Sequence, residues 1–197
     1  MIRILKHLSI CILLFISAVQ GKAQEGPDST LPYSEVPEYA ENYNAGTVAA
    51  RMLDGLGFRF YWATEGLQKE DFDFRAGEDS RSVAETIDHI YIMTIMISNA
   101  VNQLSDGPEE GISVEEKRAS VLKNIHKINK KLKNSSDEDF ESFNLKFANG
   151  NELPFWNLIN GPIADCIWHC GQIVTLRRMS GNPFNPDVSL LNGKLRK

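Results

Sequence analysis

The sequence predicts an all-α protein, a four-helix bundle, and three observations carry that prediction. Four amphipathic stretches of similar length follow residue 43. Two of them open on Ser-x-x-Glu capping boxes, which mark helix starts. No alternating apolar run is long enough for a sheet, apart from one short hairpin signal between the third and fourth stretches. Four helices without a sheet bury their apolar stripes against one another, and an antiparallel bundle does this with few connections. With 42% apolar residues among 197, the chain can bury a core in one domain, which excludes a disordered tail protein or a collagen-like fibre.

Residues 1–23 read as a secretory signal and stand outside that fold. Arg3 and Lys6 form a positive start. Leu8 to Val19 is an apolar run broken only by Ser9 and Ser17, and Gly21-Lys22-Ala23 sets small residues before a cut at Gln24. The run is shorter than the roughly 20 apolar residues a membrane-spanning helix needs. A periplasmic or secreted protein is therefore expected, with no stable membrane insertion after cleavage; an uncleaved N-terminal anchor is the alternative. Arg3, Lys6 and Lys22 lie in this segment and no acid does, so cleavage moves the net charge from -5 to -8. So acidic a chain repels nucleic acid and anionic lipid, and neither is an expected partner. Cys11 also leaves, and the two remaining cysteines cannot build a disulfide framework.

Residues 24–42 carry Pro27, Pro32 and Pro37 among acids and small polar residues without apolar periodicity. They read as a linker, or as an arm that orders on contact. Residues 43–197 form the helical domain and a C-terminal tail. Its first helix spans about 44–67, with Val48, Met52, Leu56 and Phe60 at helical spacing and Phe58, Tyr61 and Trp62 widening the stripe. Gly55 and Gly57 weaken this helix but let a neighbour approach closely. The second, about 82–104, starts at Ser82-Val83-Ala84-Glu85 and is apolar nearly all round at its middle, which predicts a central position.

The third helix starts at Ser113-Val114-Glu115-Glu116. Val121, Ile125, Ile128 and Leu132 form its seam, and five lysines suit its C-terminal half. Residues 134–152 form a long polar connection. Within it Phe143, Leu145 and Phe147 alternate ahead of an Asn149-Gly150 turn signal, which predicts a short hairpin. The fourth helix runs from about 154 to 180 and must be kinked or interrupted at Gly161-Pro162, because proline lacks a donor and clashes with the preceding turn. Gly181 is its expected C-cap. The tail after Asn182 has no strong period.

Chemistry concentrates on few residues. His89, His126 and His169 are the histidines after the signal. Asp165 and His169 are four residues apart, so a helix places a carboxylate and an imidazole on one face. One ion about 2 Å from each could bridge them. A third ligand from His89 would complete two histidines and one carboxylate with open positions, an arrangement suited to zinc, iron(II) and similar ions. The bland alternatives are hydrogen-bonded core histidines and an Asp165 that serves only the first turn of a restarted helix. Cys166 and Cys170 are also four apart. They could be a redox pair or soft ligands, but read as small apolar residues in a seam. His126 reads as solvated, and Arg177 with Arg178 as serving a helix C-terminus in preference to an anionic substrate.

Residues 44–181 resemble the DinB-like superfamily of four-helix bundles, which includes YfiT-like thiol transferases. Glu85-Thr86-Ile87-Asp88-His89 resembles the family's second-helix motif, and His169-Cys170-Gly171-Gln172 its last-helix motif. The departure is Asp165, which stands where the family usually has the first histidine of a last-helix pair. The resemblance implies His89, Asp165 and His169 as ligands of a divalent metal, zinc first, with iron, nickel or manganese as alternatives. Gln172 and Glu85 then fall near the site, Gln172 to orient a water or substrate group or simply to hydrogen-bond into the loop region, and Glu85 as ligand, base or, more simply, capping acid. The implied activity is a metal-dependent hydrolase or thiol S-transferase acting on a small-molecule substrate, with a homodimer left open. The alternative is a non-catalytic exported module that binds metal or another ligand.

Overall fold

The computed structural model describes residues 30–197, and the fold is mainly helical. The signal read in residues 1–23 and the first part of the arm, 24–29, lie outside the described residues. Helix α1 spans Ala45–Thr64, α2 is a single turn at Lys69–Phe72, α3 spans Val83–Asn102 and α4 spans Val114–Lys133. Strands β1 (Leu145–Lys146) and β2 (Glu152–Leu153) form the predicted hairpin, closed at Gly150 with φ 83°. Then follow α5 (Phe155–Leu158), a π-type turn at Ile159–Ile163, and α6 (Ala164–Met179). No helix among the described residues is long and apolar enough to cross a membrane.

The helix starts follow from local chemistry. At α3 the Ser82 hydroxyl accepts from the Glu85 N–H (3.2 Å) and Glu85 Oε2 accepts from the Ser82 N–H (2.8 Å). Ser113 and Glu116 repeat the exchange at α4. Asn44 and Thr47 make a third reciprocal pair at α1, with bonds of 2.8 and 3.0 Å. Each exchange satisfies amide donors that the first turn of a helix leaves orphaned.

The four long helices pack pairwise in the order α1–α4–α3–α6–α1. Their shared core is built from Leu53, Leu56, Phe60, Ile87, Ile97, Leu122, Ile125 and Ile173, all fully buried. Asn129 of α4 enters it as a polar tie, donating to Ala50 O and to Asp54 Oδ1, both at 2.7 Å. Burial pushes the Asp54 carboxyl upward, against the pull of Lys133.

The structure corrects or sharpens four expectations. Val48 is exposed, because the buried face of α1 runs through Ala49, Ala50 and Leu53, and the stripe drawn through Val48 lies to one side of it. The fourth stretch is interrupted at Gly161-Pro162, the second of the two outcomes expected there. Gly161 leaves helical geometry (φ −96°, ψ −110°) ahead of Pro162, which separates α5 from α6 and re-aims the chain. The tail has structure of its own: β3 (Val188–Ser189) pairs antiparallel with β4 (Lys194–Leu195). Gly193 there accepts from the Val36 N–H (2.8 Å), so tail and arm hold each other. The arm lies along α1, with Tyr33 so close to Gly57 that a Cβ there would fall 2.5 Å from the ring.

The fourth correction is Arg177. It serves a helix C-terminus, but that of α1 and not its own. Its guanidinium is buried and donates to the carbonyls of Trp62 (3.2 Å), Ala63 (3.1 Å) and Glu65 (2.9 Å), and to Asn182 O (2.9 Å) and Oδ1 (3.1 Å). Helix α1 ends at Thr64, three residues before the sequence-based boundary, and the chain turns extended at Glu65 (ψ 130°) where these carbonyls meet a donor outside the helix. Desolvation lowers the guanidinium pKa, while Asp71 and Glu65 favour its charge. Arg177→Met leaves the carbonyls without a donor and is expected to cost about 3 kcal/mol. The corresponding fall in Tm is roughly 6–12 °C, and urea titration followed by circular dichroism measures the loss.

Candidate metal centre

Two elements that meet across the core build the site. The capping box at Ser82 starts α3 and fixes its phase, so that His89, two turns on, faces α6. The turn at Gly161-Pro162 starts α6 and sets Asp165 in its first turn, with His169 one turn later on the same face. His89 Nε2 lies 2.8 Å from Asp165 Oδ2, and His169 Nε2 lies 3.4 Å from the same oxygen. The two imidazole rings stand nearly perpendicular, their centroids 4.6 Å apart. All three candidate ligand atoms fall within 4.8 Å of one another. His169 is buried, while His89 and Asp165 are half-buried, so the cluster opens to one side.

This geometry suits a divalent ion. Two ligands each about 2.1 Å from one ion stand roughly 3.0–3.4 Å apart, which the His169–Asp165 pair already meets. The shorter His89–Asp165 contact is a hydrogen bond and would have to open by a few tenths of an ångström for the two residues to hold one ion. The donor set, two imidazoles and a carboxylate, fits zinc and the neighbouring divalent transition metals.

Gln172 deepens the fit. His169 Nδ1 lies 2.6 Å from Gln172 Oε1, a distance at which the ring donates its N–H to the amide oxygen. With the proton on Nδ1, the Nε2 lone pair points to the Asp165 side. In the neutral ring with that tautomer, a lone pair and a carboxylate oxygen face each other across 3.4 Å, an arrangement that a nearby cation favours. The guanidinium of Arg81 supplies one: its Nη1 stands 3.4 Å from His169 Nε2. Gln172 thus orients a histidine where the sequence reading had it orienting water or substrate.

Glu85 stays with its cap. Its carboxylate bonds the Ser82 N–H and, at 3.1 Å, Arg75, and these contacts hold it below the usual carboxylate range. It lines a cavity of about 440 Å³ together with Arg75, Ser80, Arg81, His89 and Ile92. Asp88, in the same wall, pairs with Lys117. Asp165 is the acid of the first turn of α6, as the bland reading expected, and its carboxylate also meets both imidazoles.

Cys166 and Cys170 are buried free thiols on another face of α6. Desolvation pushes Cys170 up to about 12 and raises Cys166 as well. Exposed His126, on α4, turns the edge of its ring toward Tyr33 (centroids 6.3 Å) and stands outside the cluster. Arg81 is the site residue that sequence reasoning missed. Its only signal was a position immediately before the Ser82 cap, which places it at the mouth of whatever α3 faces. Comparison with protein families, with curated proteins and with solved structures finds no match for this chain.

Gln172→Leu removes the acceptor that orients His169 and is expected to weaken zinc binding about 10–100-fold, measured by competition with a chelating dye. Both cysteines of the folded protein are expected to resist a disulfide exchange reagent at pH 8 and to react fully in denaturant, since the thiolate is the reactive form.

Proposed function

We propose that the chain is an exported, DinB-like four-helix bundle that binds one divalent metal through His89, Asp165 and His169, zinc first, and acts as a metal-dependent hydrolase on a small molecule. The observation that carries this reading is the convergence of three ligand atoms from two helices within 4.8 Å, with the far nitrogen of His169 engaged by Gln172. The pairwise packing of four long helices and the motifs around His89 and His169 support the family assignment. The pattern of residues 1–23 supports export.

When bound, a divalent ion there supplies Lewis-acid chemistry: it polarises a carbonyl and lowers the pKa of a coordinated water or thiol. Export favours the hydrolase over the thiol transferase, since low-molecular-weight thiols are kept reduced in the cytosol. The chain's residues divide the remaining work. Asp165 contributes charge between the imidazoles, Gln172 holds the His169 tautomer, and the cavity beside His89 gives a small substrate access. A second reading, a metal-binding module without turnover, draws on one observation. Glu85 and Asp88, the acids flanking His89 on α3, are both engaged, one by its cap and Arg75, the other by Lys117. Neither is free to act as a general base.

Elemental analysis tests the shared premise. Protein purified after expression with zinc, iron, nickel and manganese present is expected to carry one ion per chain, and Asp165→Ala and His169→Ala are each expected to fall to background. Wild type without stoichiometric metal overturns the proposal. Metal without turnover of ester, amide or thiol-acceptor substrates decides for the binding module.

A further inference from the structure

We propose that Arg81 makes this centre a receptor for small oxyanions: a carboxylate- or phosphate-bearing ligand bridges the metal and the Arg81 guanidinium. The inference rests on the metal reading above and names the class of ligand that the site takes.

Arg81 Nη1 lies 3.4 Å from His169 Nε2, an atom assigned to the metal. A cation that takes this lone pair also repels the guanidinium, so Arg81 has to withdraw. Its backbone stays beside the centre, because the next residue, Ser82, is fixed as the N-cap of α3 by its exchange with Glu85, and its exposed side chain swings from that anchor. Arg81 itself lines the open cavity of about 440 Å³ that borders His89, and the guanidinium stays over it when it leaves His169. Metal binding therefore sets a cation on the open side of the centre.

The other cations near this cavity are committed. Arg75 donates to Ser80 O (2.9 Å) and pairs with Glu85, and Lys117 pairs with Asp88. Arg81 makes no ion pair among the described residues, and Glu85 feels its charge only at longer range. Three protein ligands leave coordination positions open on a tetrahedral or larger sphere. A planar guanidinium beside such a position matches a ligand with two or more oxygens on one centre, one oxygen for the ion and another for the fork of N–H donors. Carboxylate and phosphate share that chemistry. Glu78 and Asp79 line the same cavity, and their repulsion favours compact anions that reach the ion over extended polyanions.

The test uses the full mature chain and cobalt(II) as a spectroscopic probe. Cobalt is titrated into wild type, Arg81→Met and Arg81→Lys in chloride, acetate or inorganic phosphate at matched ionic strength, following visible absorption. In wild type, acetate or phosphate is expected to tighten cobalt binding about tenfold and to change the absorption band, and the arm with the larger effect identifies the anion class. Arg81→Met is expected to bind cobalt at least as tightly in chloride, and to show less than a twofold anion effect. Arg81→Lys, a point charge without the fork, is expected to fall between. An undiminished anion effect in Arg81→Met overturns the inference, and so does cobalt binding by wild type that no anion alters. Wild type that binds no cobalt overturns the metal reading and this inference together.

Discussion

A buried guanidinium decides where α6 lies. Arg177 cannot stay charged in the core without acceptors, and a lone buried charge costs several kcal/mol. It finds those acceptors in the carbonyls that end α1 and in Asn182 just beyond its own helix. The contact satisfies one helix terminus, stops that helix, and pins α6 against it at a fixed height. With one end of α6 held there and the other released from α5 by Gly161-Pro162, the first turn of α6 meets the second turn of α3 at His89. The meeting of Asp165 and His169 with His89 follows from this placement.

The His89–Asp165–His169 cluster is a group of ligand atoms that could hold a cation. Asp165 Oδ2 is approached by two imidazole nitrogens, and the amide of Gln172 leaves the nearer nitrogen of His169 as an acceptor. Two acceptors in contact repel unless something positive lies between or beside them. The His89 ring, 2.8 Å from Asp165, and the guanidinium of Arg81, 3.4 Å from His169, stand in that role. The centre is polar, satisfied and set at the edge of the core, so its construction does not draw on hydrophobic packing. The cysteines of α6 show the contrast: one face away, they are desolvated and held as neutral thiols.

The arm and tail complete the body in a different way. Tyr33 reaches the core through left-handed backbone (φ 78°) and lies on Gly57, where only a glycine leaves room for its ring. Trp62 donates to Ser34 O (3.0 Å), and Gly193 of the tail hairpin receives Val36. Few of these contacts carry an apolar period, so neither segment announced its place in the chain.

What the sequence by itself determined was local. Helix starts were legible at Ser82 and Ser113 because a capping box is an exchange between residues three apart, and the hairpin was legible at Asn149-Gly150 because a turn depends on its own φ angles. The Asp165/His169 pair was legible for the same reason, as a helix brings residues four apart together whatever surrounds it. Only the tertiary structure decided the rest: that His89 closes the cluster, that Gln172 turns inward to His169, that Arg81 stands at the mouth, and that Arg177 ends a helix more than a hundred residues away. These contacts join segments distant along the chain. Their partners are chosen by which buried polar groups lack a donor or an acceptor once the helices have packed, and no spacing in the sequence records that.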